Sequence, residues 1–255
     1  MRTDQDLKRI ADFRASFARR QAAAVTEVPG GAVVLEPAYA ASYVDNQLVI
    51  YSETDPDGLP ALAEEVLGRL GHRRISVLDD ALGLACAPAL LAAGYGQERE
   101  LVMAYTGPPV PAPVPSADTV TLAELRPAVL RQLRAWMPDA TETVLDQLVG
   151  RRTARLRGAD RVRFLAVRDE EGTIGSSADL YLDDARGIAQ IEEVVTIDTH
   201  TRRGYADRIL ATALHQAAGH PLCFLVAAPD DWPHTWYARR GFTPLGRSHV
   251  FSRNR

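Results

Sequence analysis

Ile191-Glu192-Glu193-Val194-Val195-Thr196-Ile197-Asp198-Thr199-His200-Thr201-Arg202-Arg203-Gly204-Tyr205-Ala206-Asp207-Arg208-Ile209-Leu210 is the stretch whose reading decides the fold. A β-branched, apolar run enters a short loop with two arginines and a glycine. Ile209, Leu210, Ala213 and Leu214 then recur at helical spacing. A strand feeding a helix through such a loop aims backbone N–H groups and the positive end of the helix dipole at one point. That is an anion site. Arg202 and Arg203 add charge where a pyrophosphate would lie, Gly204 lets the backbone approach it, and Ala206 keeps the next turn small.

Working outward, two helices are expected at Leu122 to Trp136 and Thr141 to Leu156, followed by strands at Val162 to Val167, Ile174 to Leu182 and Gln190 to Thr196. Beyond the loop come a helix from Gly204 to Ala218, a strand Leu222 to Ala227, a helix around His234 to Arg240 and a last strand near His249. Antiparallel strands first and a β-α-β-α-β ending make a mixed α/β sheet. Upstream, the five prolines of Gly107-Pro108-Pro109-Val110-Pro111-Ala112-Pro113-Val114-Pro115 read as a stiff extended spacer. The expected division is therefore 1–106, a linker 107–119, and 120–255.

The first part opens with an amphipathic helix carrying Leu7, Ile10, Phe13 and Phe17, ended by Pro29-Gly30-Gly31. Strands follow at Val33 to Leu35 and Gln47 to Tyr51, then a helix Leu59 to Leu70, a strand Arg74 to Leu78, a short helix Ala87 to Ala93 and a strand Glu100 to Tyr105. Its strand–helix–Gly-Tyr–strand plan over 76–103 echoes the plan over 226–251. The echo reads either as one supersecondary unit used twice or as a plan common to α/β proteins.

Composition narrows the chemistry. The 29 cations are 28 Arg and one Lys, Lys8, which lies in an Arg-rich amphipathic stretch, so P-loop and Schiff-base chemistry have no lysine to use. Cys86 and Cys223 are far apart, and His200 and His234 lack ligand spacing and an acidic partner, so no metal is expected. A net charge of −4 argues against nucleic acid, and no apolar run is long enough for a membrane span. Without an apolar leader near the N-terminus, a cytoplasmic protein is expected. Beyond Arg202 and Arg203 the arginines read as compositional background.

Thr201-Arg202-Arg203-Gly204-Tyr205-Ala206 after a strand, and Tyr237-Ala238-Arg239-Arg240-Gly241-Phe242 after the next one, resemble the two motifs of the GNAT superfamily of acyl-CoA-dependent N-acyltransferases. The family's first motif begins with Gln or Arg where this chain has Thr201. The likeness covers the last 135 or so residues, and the first half resembles a smaller, partial GNAT-like fold. It implies a mostly antiparallel sheet flanked by helices and acetyl-CoA as co-substrate. It further implies direct attack by a primary amine, from a small molecule or a peptide. Val194, Val195 and Thr196 would offer N–H groups to the pantetheine and the acetyl oxygen, Thr201 to Ala206 would hold the pyrophosphate, and Tyr237 would protonate the leaving sulfur.

Glu192 and Glu193 are the candidates for the base. Adjacent strand residues point to opposite faces, so only one is expected at the reaction centre, and Glu193 is preferred. Attracting a cationic amine is an equal alternative for either. The first half's loop Ser52-Glu53-Thr54-Asp55-Pro56-Asp57-Gly58 carries three acids and no arginine, so this half is expected to bind no CoA and to complete the sheet or roof the substrate site. A non-catalytic acyl-CoA sensor on the same fold is the competing reading, and a homodimer is compatible with either.

Overall fold

The computed structural model describes residues 2–254. In chain order the elements are α1 (Arg2–Gln21), β1 (Ala24–Val28), β2 (Gly31–Leu35), β3 (Gln47–Ile50), α2 (Leu59–Leu67), β4 (His72–Val77), α3 (Asp80–Ala92) and β5 (Gly96–Tyr105). Then come β6 (Asp118–Val120), α4 (Leu122–Trp136), α5 (Glu142–Gly150), α6 (Arg152–Arg155), β7 (Arg161–Arg168), β8 (Ile174–Asp183) and β9 (Ile188–Thr196). The chain ends with α7 (Tyr205–Gln216), β10 (Leu222–Ala227), α8 (Pro233–Ala238) and β11 (Phe242–Asn254). β3 pairs parallel with β4 and β9 with β10, while β1–β2, β2–β3, β4–β11, β6–β7, β7–β8 and β8–β9 are antiparallel, so the expected mixed, mostly antiparallel α/β architecture is the observed one.

Two compact units result, and they do not follow the linear division expected at the prolines. One joins the residues up to Ala104 with those from Val226 onward; the other runs from Tyr105 to Leu225. In the first unit the strand order is β1-β2-β3-β4-β11-β5. β11 pairs antiparallel with β4, from His249↔Val77 to Asn254↔His72. Ser248, His249, Val250 and Phe251 are buried on both faces, as an interior strand requires. Phe251 lies in one core with Leu48, Ile75, Cys86 and Leu90, while Ala15 and Ala18 of α1 pack on Val34 and Val49.

The second unit carries β10-β9-β8-β7-β6. Phe164 and Ala166 pack with Leu125, Ala128 and Val129 of α4 and Val149 of α5. Leu165 and Val167, on the alternate face of β7, are equally buried, and α7 packs against β7, β8 and β9. The helix expected over 141–156 is broken into α5 and α6. Thr121 caps α4 through a reciprocal capping box with Glu124. Thr121→Ala should cost about 1 kcal/mol, read as a lower urea midpoint with an unchanged slope.

The proline-rich segment is tied down along its length. His215 donates to Val110 O (3.1 Å), Arg208 Nε to Ser116 O (3.0 Å), and Ala117 N–H to Thr212 Oγ1 (2.9 Å). Proline lacks the N–H but keeps the carbonyl, so an extended proline-rich strand remains a row of acceptors, here met by α7. It is a strap on the second unit as much as a spacer.

Candidate functional site

The strand that enters the arginine–glycine loop is irregular at the position that matters. β8 and β9 pair regularly from Asp183↔Ile188 to Asp179↔Glu192, and again at Ser177↔Val195 and Ser176↔Thr196. Between these, β9 holds one more residue than β8, a β-bulge, and Glu193 takes the left-handed φ of 54°. A non-glycine residue in that region is uncommon and carries strain. The bulge also breaks strict alternation. Burial acts first to push the Glu192 carboxyl above its ordinary value; Arg155 opposes, and Glu193 and Asp179 reinforce the rise. The two glutamates therefore bear on one set of charges, whereas regular alternation separated them.

Glu193 is held by three guanidinium groups. Arg151 and Arg155 donate to its Oε1 at 2.7 and 2.9 Å, and Arg152 to its Oε2 at 3.0 Å. Behind them Arg155 donates to Asp179 Oδ2 at 2.6 Å, Arg152 lies 3.4 Å from the same oxygen, and Tyr181 Oη donates to it at 3.1 Å. Asp179, Arg152, Arg155 and Tyr181 are buried. Burial alone would raise the Glu193 carboxyl, but Arg155, Arg151 and Arg152 hold it far below the usual carboxylate range. Such a carboxylate does not take a proton near neutrality. The arginines that saturate Glu193 leave Glu192 the more basic of the two.

Val194, Val195 and Thr196 follow the bulge, partly exposed. Ser176 Oγ donates to Val195 O at 2.9 Å and lies 2.9 Å from Thr196 Oγ1, fixing this end of β9 to β8. On its other edge, among the described residues, β9 pairs with β10 only from Ile188↔Leu222 to Gln190↔Phe224. From Ile191 onward β9 continues beyond that ladder, and strand backbone outside a ladder can pair with a ligand's own amide.

The strand then runs through a short turn, Asp198–His200, into the loop. Arg202 has φ 61° and Gly204, the residue before α7, has φ 76°; no side chain caps the helix. Thr201, Arg202, Arg203 and Gly204 are exposed, and Tyr205 and Ala206 half-buried. Among the described residues neither Arg202 nor Arg203 has a carboxylate partner. His200 braces this loop: its ring nitrogens meet Asp169 Oδ2 at 2.8 Å and Thr199 Oγ1 at 2.9 Å. A Cβ on Gly175 would fall 2.6 Å from the His200 ring, so only glycine admits it there. The role of His200 escaped the sequence reading because Asp169 lies 31 residues away.

Beside the bulge a cleft of about 110 Å³ opens. Val129, Leu133 and Trp136 of α4 line one side, Ser176 and Ser177 another, and Arg151, Arg152 and Glu193 form its charged part. Tyr237 belongs to the other unit. Its ring is buried, edge-on to Trp236 (4.9 Å) and Phe242 (5.8 Å), and burial pushes the phenol up to about 12. That is a poorer match to a thiol than an ordinary phenol. Cys223 and Cys86 are buried and unbonded, with burial raising both thiols. Among the described residues no group of three His, Cys, Asp or Glu could hold a metal, and no helix is long and apolar enough to cross a membrane.

No protein-family model and no curated protein matches the chain. Solved structures do. A functionally unknown conserved protein from Staphylococcus epidermidis superposes with a TM-score of 0.65 at 13% identity, over 90% of this chain and 92% of the other. A GCN5-related N-acetyltransferase from Kribbella flavida gives 0.62 at 18% identity, over 96% and 94%. A tandem GNAT protein from the clavulanic acid biosynthesis pathway gives 0.54 at 14%, over 98% and 95%.

Proposed function

We propose, for a chain that has the fold of the GNAT acetyltransferases, that it transfers an acetyl group from acetyl-CoA to a primary amine. The observation that supports this best is the parting of β9 from β10 after Gln190, directly ahead of the uncapped start of α7. The strand backbone at Val194 to Thr196 receives the pantetheine amides and the acetyl oxygen. The loop from Thr201 to Ala206, with Arg202 and Arg203, receives the pyrophosphate. No covalent enzyme intermediate is needed, because the thioester is already activated.

Glu192 is the base in this reading. Its raised affinity for protons places it closer to the working pH than an ordinary glutamate, which is what proton abstraction from an ammonium group requires. Glu193 sets the shape and charge of the floor. The role expected for Tyr237, proton donor to the leaving thiolate, is tested by Tyr237→Phe; with the phenol pushed up to about 12, full transfer is uphill, so this variant should cost less activity than Glu192→Gln.

Arg202→Gln with Arg203→Gln should weaken acetyl-CoA roughly a hundredfold in calorimetry, at about 1.5 kcal/mol for each charge-assisted bond. Unchanged affinity would remove the pyrophosphate assignment. The saturation of Glu193 by arginines equally suits a sensor that binds acyl-CoA without turnover. Turnover separates the two.

A further inference from the structure

The loop assigned to the pyrophosphate is exposed, yet it is pinned at one point. Among the described residues from Glu192 to Arg208, His200 alone is buried. Three elements enclose its ring. Asp169, in the turn between β7 and β8, accepts from Nε2 at 2.8 Å, since an ionised carboxylate has no proton to give. Gly175 of β8 leaves the ring its space, and Tyr205, the first residue of α7, lies with its own ring 5.8 Å away. The Asp169 carboxylate is itself fixed, because its other oxygen accepts from the N–H groups of Glu171 and Thr173 at 3.0 and 2.8 Å. The His200 and Asp169 side chains are 11% and 14% exposed, so water and salt screen their contact far less than a surface pair. Two residues beyond this anchor Arg202 takes a φ of 61°, a strained conformation for a non-glycine residue that persists only where the surroundings impose it. A loop already held in its bound shape loses little freedom when a ligand arrives.

We propose that His200, seated on Asp169, is a positioning residue: by holding Thr201 to Gly204 it sets the affinity for acetyl-CoA, acting through Arg202 and Arg203 rather than on the ligand. This rests on the acyl-CoA reading of the loop and on nothing in the transfer step. The turn between β7 and β8, remote in sequence from the loop, thereby becomes part of what the pyrophosphate site depends on.

Calorimetry with acetyl-CoA on the full chain tests the proposal. His200→Ala should weaken acetyl-CoA about tenfold or more, the effect of losing one charge-assisted hydrogen bond. His200→Gln, whose amide N–H can stand in for that of Nε2, should stay within about threefold of the wild type. Asp169→Ser keeps an oxygen for the N–H groups of the turn but is too short to meet His200, and should weaken acetyl-CoA as His200→Ala does. Coupling separates positioning from a merely structural role. Introduced beside Arg202→Gln and Arg203→Gln, His200→Ala should add less than about a threefold loss, because the groups it positions are gone. Wild-type affinity in Asp169→Ser, or an equal loss from His200→Ala with and without the two arginines, overturns the proposal. The Asp169→Ser result stands even if His200→Ala fails to fold. Acetyl-CoA that does not bind the wild type would sink the acyl-CoA reading itself, and the proposal with it.

Discussion

Glu192→Gln is expected to lower kcat/KM by about 10²–10⁴-fold, the usual worth of a positioned base, with acetyl-CoA affinity unchanged. The pH profile gives a second readout. In the wild type kcat/KM should rise with pH along a limb lying above the ordinary glutamate value, because burial and the neighbouring carboxylates raise Glu192. The variant should lose that limb. Stability carries the opposite sign. A carboxyl raised on folding keeps a proton that the unfolded chain has lost, so its contribution falls as pH rises from the unfolded to the folded value. Relative to wild type, Glu192→Gln should therefore fare better at neutral than at acid pH. A variant with wild-type rate and pH profile would remove Glu192 from the mechanism.

Asp179→Ala should give the largest loss of stability, about 3–5 kcal/mol in denaturant titrations. Asp179 is buried with Arg152 and Arg155, and it accepts from Tyr181. Its removal strands two buried guanidinium groups with Glu193 as their remaining ion-pair partner in the cluster, and breaking a buried pair costs far more than forming one gains. Asp146→Ala is the control. Asp146 pairs with Arg126 at 2.6 Å on the surface, where the expected loss is under about 1 kcal/mol. Equal losses from the two variants would show that the buried cluster is not a centre of stability.

Much of this was legible because it is local. The helix expected over Leu122 to Trp136 is α4, with the same bounds, since Thr121 and Glu124 mark its start and its apolar residues keep helical period. The loop from Thr201 to Gly204 was legible too, since strand, arginines, glycine and helix follow one another directly. β1 was missed: Ala24 to Thr26 lie exposed at a sheet edge, and Thr and Glu interrupt any apolar alternation. The partner of β11 was hidden as well. Its sequence marks a strand, but only tertiary structure makes β4 its neighbour and places residues 226–255 with the first unit.

The charged cluster was illegible for the same reason. Arg155 stands four residues from Arg151 and three from Arg152, spacings that could have been read as neighbours on a helix surface. Their partners Asp179 and Glu193 come from strands 24 to 42 residues away. Nor did any glycine or asparagine announce the bulge at Glu193. That one extra residue undid the alternation argument that separated the two glutamates. Arginines that looked like background are what hold the site.

The central claim is acetyl transfer from a CoA held at α7. It is tested most directly by thiol release from acetyl-CoA with the full chain and a panel of primary amines, run beside the Arg202→Gln, Arg203→Gln double variant. The account predicts release that depends on the amine and falls sharply in the double variant at limiting acetyl-CoA. Acetyl-CoA binding without acceptor-dependent release, for every amine tried, would contradict it and leave a sensor.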